Sequence, residues 1–403
     1  MTFVKKILLL ITLSSCFALN SFAQTWTQTS APNNSWVAVA SSANGMKLMA
    51  GISSGRIYVS TNYGINWTQT IAPNANWISI ASSADGTKIF AAANGGGIYS
   101  STNSGSTWVS NNVVAIDWES IACSADANTV AAAAFDTSGN PAHIFISHDR
   151  GLTWAVSSNS PTNNWYAIAL SADGKKLIAA GGIIIPFQNY NRQIYISTNS
   201  GIDWRLTGAP SNQWQALAMS ADGTKLVGAV YSGVIFTSPD SGNTWISNNM
   251  PDDSFHHTAW NAVTSSADGT KLAAACQILG NNPPAPIYSS INSGATWTSN
   301  NIPGNVFYSI ATSADGNRLI AVDKNHVWIS QSVPSPSMNA AVKNKNLKLS
   351  WIIPSTNFVL QSSADLSSWT DLTNQPVLNL TNLQNEVTLP LSASNSFYRL
   401  KTP

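Results

Sequence analysis

The strongest constraint on this chain is a repeat. Seven segments begin with an aromatic residue, pass through a short apolar stretch into Ser-Ala-Asp-Gly or a close variant, and continue into Lys-Leu-x-Ala-Ala or a looser apolar equivalent. They start at Trp36, Trp77, Trp118, Trp165, Trp214, Trp260 and Phe307, at intervals from 41 residues (Trp36 to Trp77) to 49 (Trp165 to Trp214).

That period fits a four-stranded propeller blade. In the second unit, Trp77-Ile-Ser-Ile-Ala-Ser is the expected first strand and Ala84-Asp85-Gly86 the turn that reverses the chain. Lys88 to Ala92, Gly97 to Ser100 and Thr107 to Val109 are the expected second, third and fourth strands. Short β-rich runs punctuated by Asp-Gly and Asn-Gly read as hairpins, because those residues tolerate the positive φ of tight turns.

A second motif joins strands three and four: Ser-x-Asp/Asn-x-Gly-x-Thr/Asn/Asp-Trp, running from Ser60, Ser101, Ser147, Ser197, Ser238 and Ser290. Its amide or carboxylate is Asn62, Asn103, Asp149, Asn199, Asp240 or Asn292, which can accept N–H bonds inside its own turn. Its glycine is Gly64, Gly105, Gly151, Gly201, Gly242 or Gly294, the position expected to need a left-handed backbone. Its closing residue is Trp67, Trp108, Trp154, Trp204, Trp245 or Trp297, a wedge between layers. These segments resemble the Asp-box, or bacterial neuraminidase repeat, of sialidases, xyloglucanase-type glycosidases, sortilin-type receptors and photosystem II assembly factors. The resemblance implies a propeller over residues 24–331 and points to no single activity.

The seventh unit ends at Val327-Trp328-Ile329-Ser330 with no Asp box, so its fourth strand is missing. Thr25-Trp26-Thr27-Gln28-Thr29 matches the fourth-strand sequence Trp67-Thr68-Gln69-Thr70 and is expected to supply it, closing the ring and removing exposed sheet edges. The expected fold is therefore all-β: a seven-bladed β-propeller closed by the N-terminal strand, with a small C-terminal antiparallel β-sandwich. Of the 16 Trp, six start units, six end Asp boxes and Trp26 is the displaced seventh of that second set. Positions that repeat with the unit argue for packing rather than for stacking on sugars.

Residues 1–23 read as a signal peptide, with Lys5 and Lys6 before the apolar run Ile7 to Leu13 and a Ser-Phe-Ala exit. Leu13-Ser-Ser-Cys16 resembles a lipobox and keeps an anchored form open. No later run has the roughly 18 apolar residues of a spanning helix, so a secreted or periplasmic location is expected. Beyond the leader, the thiols are Cys123 and Cys276, each in an Ala-rich stretch and read as buried free cysteines. Charged residues are 9%, and loss of Lys5 and Lys6 takes the balance from +1 to about −1, so no basic stripe exists to hold nucleic acid.

Composition shifts at 332–337, Ser-Val-Pro-Ser-Pro-Ser, a linker. Residues 338–403 carry alternating runs such as Leu347 to Trp351 and Phe397 to Leu400, as expected of a small sandwich. This segment resembles a terminal module of many secreted bacterial proteins. Within it, Ser363-Ala-Asp-Leu-Ser-Ser-Trp369 echoes an Asp box but is one residue short and lacks the glycine.

Both repeated turns should share one face, leaving the variable connections on the other, where binding sites usually sit. Two long connections stand out. Phe187, Asn189, Tyr190 and Arg192 lie in the fourth unit, and Asp252, Asp253, Phe255, His256 and His257 link the fifth unit to the sixth. They are expected to wall a concave site above the fifth unit for a glycan or a protein ligand, or else to be ordinary solvated insertions. The acid–imidazole group in the second connection suits a metal, but adjacent histidines diverge on an extended chain, and no metal or cofactor is assigned. Sialidase chemistry asks for an arginine cluster, a Tyr nucleophile, a Glu to activate it and an Asp acid/base. The only Glu are Glu119 and Glu386, and Arg56, Arg192, Arg205 and Arg318 are scattered along the repeats rather than clustered. Xyloglucanase-like chemistry asks for two opposed carboxylates and a second propeller. The preferred reading is a monomeric, non-catalytic recognition or scaffold protein, with a glycosidase as the alternative and no catalytic residue assigned.

Overall fold

A computed structural model describes residues 25–135, 142–182, 192–248, 250, 258–278, 285–303, 306–331, 338–343, 346–352, 359–374, 376–379, 383–390 and 396–401. All regular structure among them is β-strand, in antiparallel sheets that follow the sequence repeat. The first unit is typical. Trp36–Ser41, Leu48–Ile52, Ile57–Ser60 and Thr68–Gln69 pair in order, with Ser41 opposite Leu48 across the Asn-Gly turn. No helix in the described residues is long and apolar enough to cross a membrane.

The first strands face one another around a common axis. A circuit of peptide hydrogen bonds records this: the N–H of Ala43 donates to the carbonyl of Ala84 at 2.8 Å, and the pattern continues through Ala125, Ala172, Ala221, Ala267 and Ala314. The last link, Ala314 N–H to the Ala43 carbonyl at 2.7 Å, returns to the start. Each of these alanines stands at the Ala of a Ser-Ala-Asp/Asn turn.

Apolar packing lies between neighbouring sheets. Trp36, Trp77, Trp118, Trp165, Trp214, Trp260 and Phe307 are at most 1% exposed, each in a cluster drawn from two or three adjacent units. Asp-box Trp rings pack onto them, Trp108 lying 6.5 Å from Trp77 and Trp245 lying 5.7 Å from Trp214. The periodic Trp thus form the core, as their repetition implied.

In the seventh unit, Phe307–Thr312, Arg318–Asp323 and Val327–Gln331 are joined by Trp26–Gln28, with Trp26 opposite Ser330 and Gln28 opposite Trp328. Thr29 N–H continues the ladder to the Val327 carbonyl at 2.9 Å. The fourth position is therefore filled from the other end of the described chain.

Two local expectations are corrected. The fourth strand of the second unit and the first strand of the third are one continuous run, Val109–Cys123, which merges their sheets into seven strands. This link has the same length as the one after the first unit but carries Val113 and Ile116 where that one carries Pro73, so pairing continues through it, with a register shift between Gly96 and Ile98.

The second correction concerns the Asp box. Its glycines are left-handed, but so is the residue before each: Ser104 has φ 56° and Gly105 φ 86°, and the pair repeats through Tyr63, Arg150, Ser200, Ser241 and Ser293. Two successive positive φ values give the turn the primed-hairpin hand. The serine at the head of the box makes this geometry pay off in hydrogen bonds: Ser101 Oγ accepts from Gly105 N–H at 2.9 Å, and Asn103 Oδ1 accepts from Thr107 N–H at 2.8 Å. In Asp149, bonds from Thr153 and Ser147 hold the carboxyl down at about 2. Glycine is still the more constrained position, because a Cβ on Gly105 would stand 2.9 Å from Thr70 Cγ2 and 3.1 Å from Val59 Cγ1. Gly105→Val is expected to cost roughly 2–3 kcal/mol and Ser104→Val roughly 1, by denaturant midpoints. Equal costs would mean that crowding at Gly105 is relieved by side-chain movement.

Residues 338–401 contribute a four-stranded and a three-stranded antiparallel sheet. Leu349, Trp351, Leu360, Val387 and Leu389 from both sheets share one apolar cluster. The Ser363–Trp369 segment closes as a shortened Asp box. Asp365 Oδ1 accepts from Ser367 and Ser368 N–H at 2.9 and 3.0 Å, Trp369 Nε1 donates to the Leu366 carbonyl at 3.2 Å, and Leu366 alone is left-handed at φ 67°.

Candidate recognition face

The Asp-box turns sit beside the Ser-Ala-Asp-Gly turns: Ser104 N–H donates to Thr87 O at 2.8 Å, Ser200 N–H to Lys175 O at 2.8 Å, and Ser293 N–H to Thr270 O at 2.8 Å. Both repeated turns therefore share one face. The start of each first strand and the connections between second and third strands lie at the opposite end.

At that end every first strand carries the same irregularity. Trp36 opposes Ile52 while Ala38 opposes Gly51, so Val37 has no partner and forms a β-bulge. Ile78, Glu119, Tyr166, Gln215, Asn261 and Tyr308 occupy the bulged position in the other six units. A bulge re-aims the side chain it carries and is over-represented beside functional sites. Here it presents seven residues of differing chemistry on a scaffold whose neighbouring positions are repeated. One arc is apolar or aromatic, through Tyr308, Val37 and Ile78. The other is polar, from Glu119 through Tyr166 and Gln215 to Asn261.

Arg192 braces the polar arc. Its backbone exchanges two hydrogen bonds with Asn212, at 2.9 and 3.1 Å, so the end of the fourth unit's long connection is stitched to the fifth unit. Its guanidinium carbon stands 3.2 Å above the centre of the Tyr166 ring, while Nη1 donates to Trp214 O at 2.6 Å and to Gln215 Oε1 at 3.2 Å. A planar guanidinium suits this double role of stacking and directed donation. Tyr166 also meets Phe135 edge-on at 5.3 Å. Phe135, Tyr166, Arg192 and Gln215 thus form one braced row across three units.

Glu119 lies beside this row. Burial pushes its carboxyl up to about 7; the positive charge of Arg192 opposes that rise, and Asp117 on the same strand adds to it. At neutral pH the group exchanges between proton donor and acceptor, which suits recognition of a ligand hydroxyl or amide and also suits general acid chemistry.

Of the residues singled out from the sequence, Arg192 lies in this row. Phe187, Asn189, Tyr190, Asp252, Asp253, Phe255, His256 and His257 fall outside the described residues. Tyr166, Gln215, Asn261 and Tyr308 were not singled out. Their signal was a single column, the residue after each unit's opening aromatic, that varies where its neighbours repeat.

No family model matches the chain, and no curated protein matches it by sequence. Solved structures do. The propeller domain of Cps50 (Swd1) from Myceliophteria thermophila is 15% identical with TM-score 0.60, covering 77% of this chain and 100% of that one. YCF48 from Cyanidioschyzon merolae is 14% identical with TM-score 0.56, covering 76% and 98%. The GH74 xyloglucanase from Xanthomonas campestris is 13% identical with TM-score 0.59 over 88% of this chain and 60% of its own length, so this chain spans about three-fifths of that enzyme. At these identities the likeness concerns architecture, and the architecture that this chain shares with all three is the β-propeller.

Proposed function

We propose that this chain is an exported, monomeric, seven-bladed Asp-box propeller, closed by its N-terminal strand and followed by a sandwich module, that recognises a glycan or protein partner without transforming it. The observation that carries this reading is the bulged ring: its polar arc, braced by Arg192, breaks the repeat on the face opposite the repeated turns. The long connections bearing Phe187 and Tyr190, and Asp252, Asp253, Phe255, His256 and His257, flank the fifth unit in sequence and are proposed to contribute to the site. Both partner classes suit the scaffold, since YCF48 has been solved with a D1 peptide and a xyloglucanase shares the fold. A glycosidase remains the second reading, favoured by the carboxyl of Glu119 near neutrality.

Wild type, Glu119→Gln and Tyr166→Ala should be compared on glycan arrays and in affinity capture from the surrounding medium, with sugar release assayed in parallel. Recognition through this arc predicts at least a tenfold loss of retention, about 1.4 kcal/mol, in both variants and no sugar release from any. Retention untouched by either substitution removes the arc from the reading, and sugar release that disappears in Glu119→Gln establishes the glycosidase instead.

A further inference from the structure

The seam between the seventh unit and the first differs in charge from the three seams before it. In the fourth, fifth and sixth units, a lysine at the start of the second strand reaches over the Ser-Ala-Asp-Gly turn of the next unit. A Cβ on Gly223, Gly269 or Gly316 would stand 2.8, 2.7 or 2.9 Å from the Cδ of Lys176, Lys225 or Lys271. Each lysine is thereby attracted by the carboxylate of that turn, Asp222, Asp268 or Asp315. Arg318 takes the same position over the first unit's turn, its Cδ 2.9 Å from where a Cβ on Gly45 would be. That turn carries Asn44 in place of an aspartate. Asn44 Oδ1 still accepts from Ser42 Oγ at 2.8 Å and from Met46 N–H at 3.0 Å, so the turn keeps its shape but offers Arg318 no charge.

A second irregularity falls at the same seam. In the six Asp boxes the leading serine accepts from the glycine N–H four residues on, at 2.9 Å for both Ser60 and Ser290. Ser330 holds that leading position in the seventh unit, where no box follows, and its buried Oγ has no hydrogen-bond partner among the described residues. Nε and Nη1 of Arg318 are also buried and without a partner. The Tyr63 ring, its centre 3.8 Å from the guanidinium carbon, covers one face of the group and leaves these in-plane donors unanswered. Arg318 and Ser330 line one cavity of about 20 Å³, walled also by Leu48, Tyr63 and Ile329. That is room for about one water-sized particle. Buried donors of a cationic group are costly to leave unpaired, and an anion answers both their charge and their hydrogen bonds, where a water answers the second alone.

We propose that this cavity binds one monatomic anion of the halide class, held by Arg318 and Ser330, as the counter-charge that an aspartate supplies at the preceding seams. The site lies on the turn face, opposite the bulged ring, and is built from the first and seventh units together. Its occupant therefore stabilises the closed ring and leaves the recognition face untouched.

The test is a thermal melt of the full chain in sodium gluconate replaced stepwise by sodium chloride at constant ionic strength, so that screening stays fixed. Gluconate is too large for the cavity. An anion that binds the folded chain raises the melting temperature by mass action, here by about 3 °C at about 100 mM chloride. Asn44→Asp supplies the carboxylate found in the other turns, and Arg318→Met keeps a stem over Gly45 while removing the charge. Both variants should melt at a temperature independent of chloride. Asn44→Asp suits the turn, since Asp85 Oδ1 accepts the equivalent bonds from Ser83 Oγ and Thr87 N–H, so it decides the matter even where Arg318→Met fails to fold. A wild type indifferent to chloride overturns the proposal and leaves the cavity to a water. A chloride response of undiminished size in either variant also overturns it, because the halide would then act elsewhere on the chain.

Discussion

Deleting residues 25–30 is expected to lower the melting temperature by roughly 5–10 °C. The segment does several jobs in a few residues. Trp26 to Gln28 pair with Ser330 to Trp328, and Thr29 extends the ladder to Val327. The Trp26 ring packs against the cluster that contains Trp297 and Trp328. Ser30 Oγ donates to the Ile65 carbonyl at 2.6 Å, tying the strand to the first unit's Asp box. Truncating a well-packed Trp costs roughly 3–5 kcal/mol, and each lost hydrogen bond about 1, so a total on the order of 5 kcal/mol is expected even with Trp26 only partly buried. Deletion would also expose the edge of Val327–Gln331 and invite pairing between chains. The measurement is a thermal melt with light scattering. A melting temperature unchanged by the deletion would show that the seventh unit is stable with three strands.

The strand that fills the seventh unit could be read from sequence because its letters copy another fourth strand and because the last unit lacks one. The Trp packing was legible for a similar reason: a residue that recurs with the unit must satisfy the unit's own geometry. What escaped reading depends on how strands pair rather than on what they contain. Glu119 was noted only as one of two Glu, and the bulge that presents it exists only in the register between Trp118–Ala134 and Ser120–Ala133. Arg192 looked like one of several scattered arginines. Only the tertiary fold carries it across from the fourth unit to the Trp214 carbonyl and over the Tyr166 ring. The same limit explains the Asp box. Composition marks glycine as the left-handed residue, yet Ser104 shares that conformation, held by its N–H and Oγ donating to the Thr87 and Gly86 carbonyls of the neighbouring turn. The union of two sheets through Val109–Cys123 follows from a link that lacks the proline of its equal-length counterpart after the first unit, a difference that was present in the sequence.

The second large expected effect is a pH dependence of stability that belongs to Glu119. Its carboxyl sits at about 7 in the folded protein, against an ordinary value of 4.5, and burial is the main cause. Between those values the unfolded chain has released this proton and the folded protein still holds it. The unfolded state therefore binds fewer protons, and stability falls as pH rises through this window. Below about 4.5 the effect is absent; above about 7 it is complete, and a displacement of this size corresponds to on the order of 3 kcal/mol. Asp149 titrates on the other side, since its depressed carboxyl supports the fold above the ordinary value of 3.8 and loses that support as pH falls toward about 2. The two windows do not overlap, so a descent in stability between pH 4.5 and 7 can be assigned to Glu119. Glu119→Gln keeps the shape and removes the charge, and it should abolish the descent, leaving the variant more stable than wild type at pH 8 and similar to it at pH 4.5. Chemical denaturation at pH 4.5, 6 and 8 decides the matter. If the two proteins follow parallel curves, the carboxylate at 119 is accommodated without cost, and its neighbours, Arg192 above all, compensate its burial in full. A charge tolerated so well beside a single arginine would mark this arc as prepared for an ionised Glu119, and the partner it receives would then be expected to donate hydrogen bonds rather than accept them.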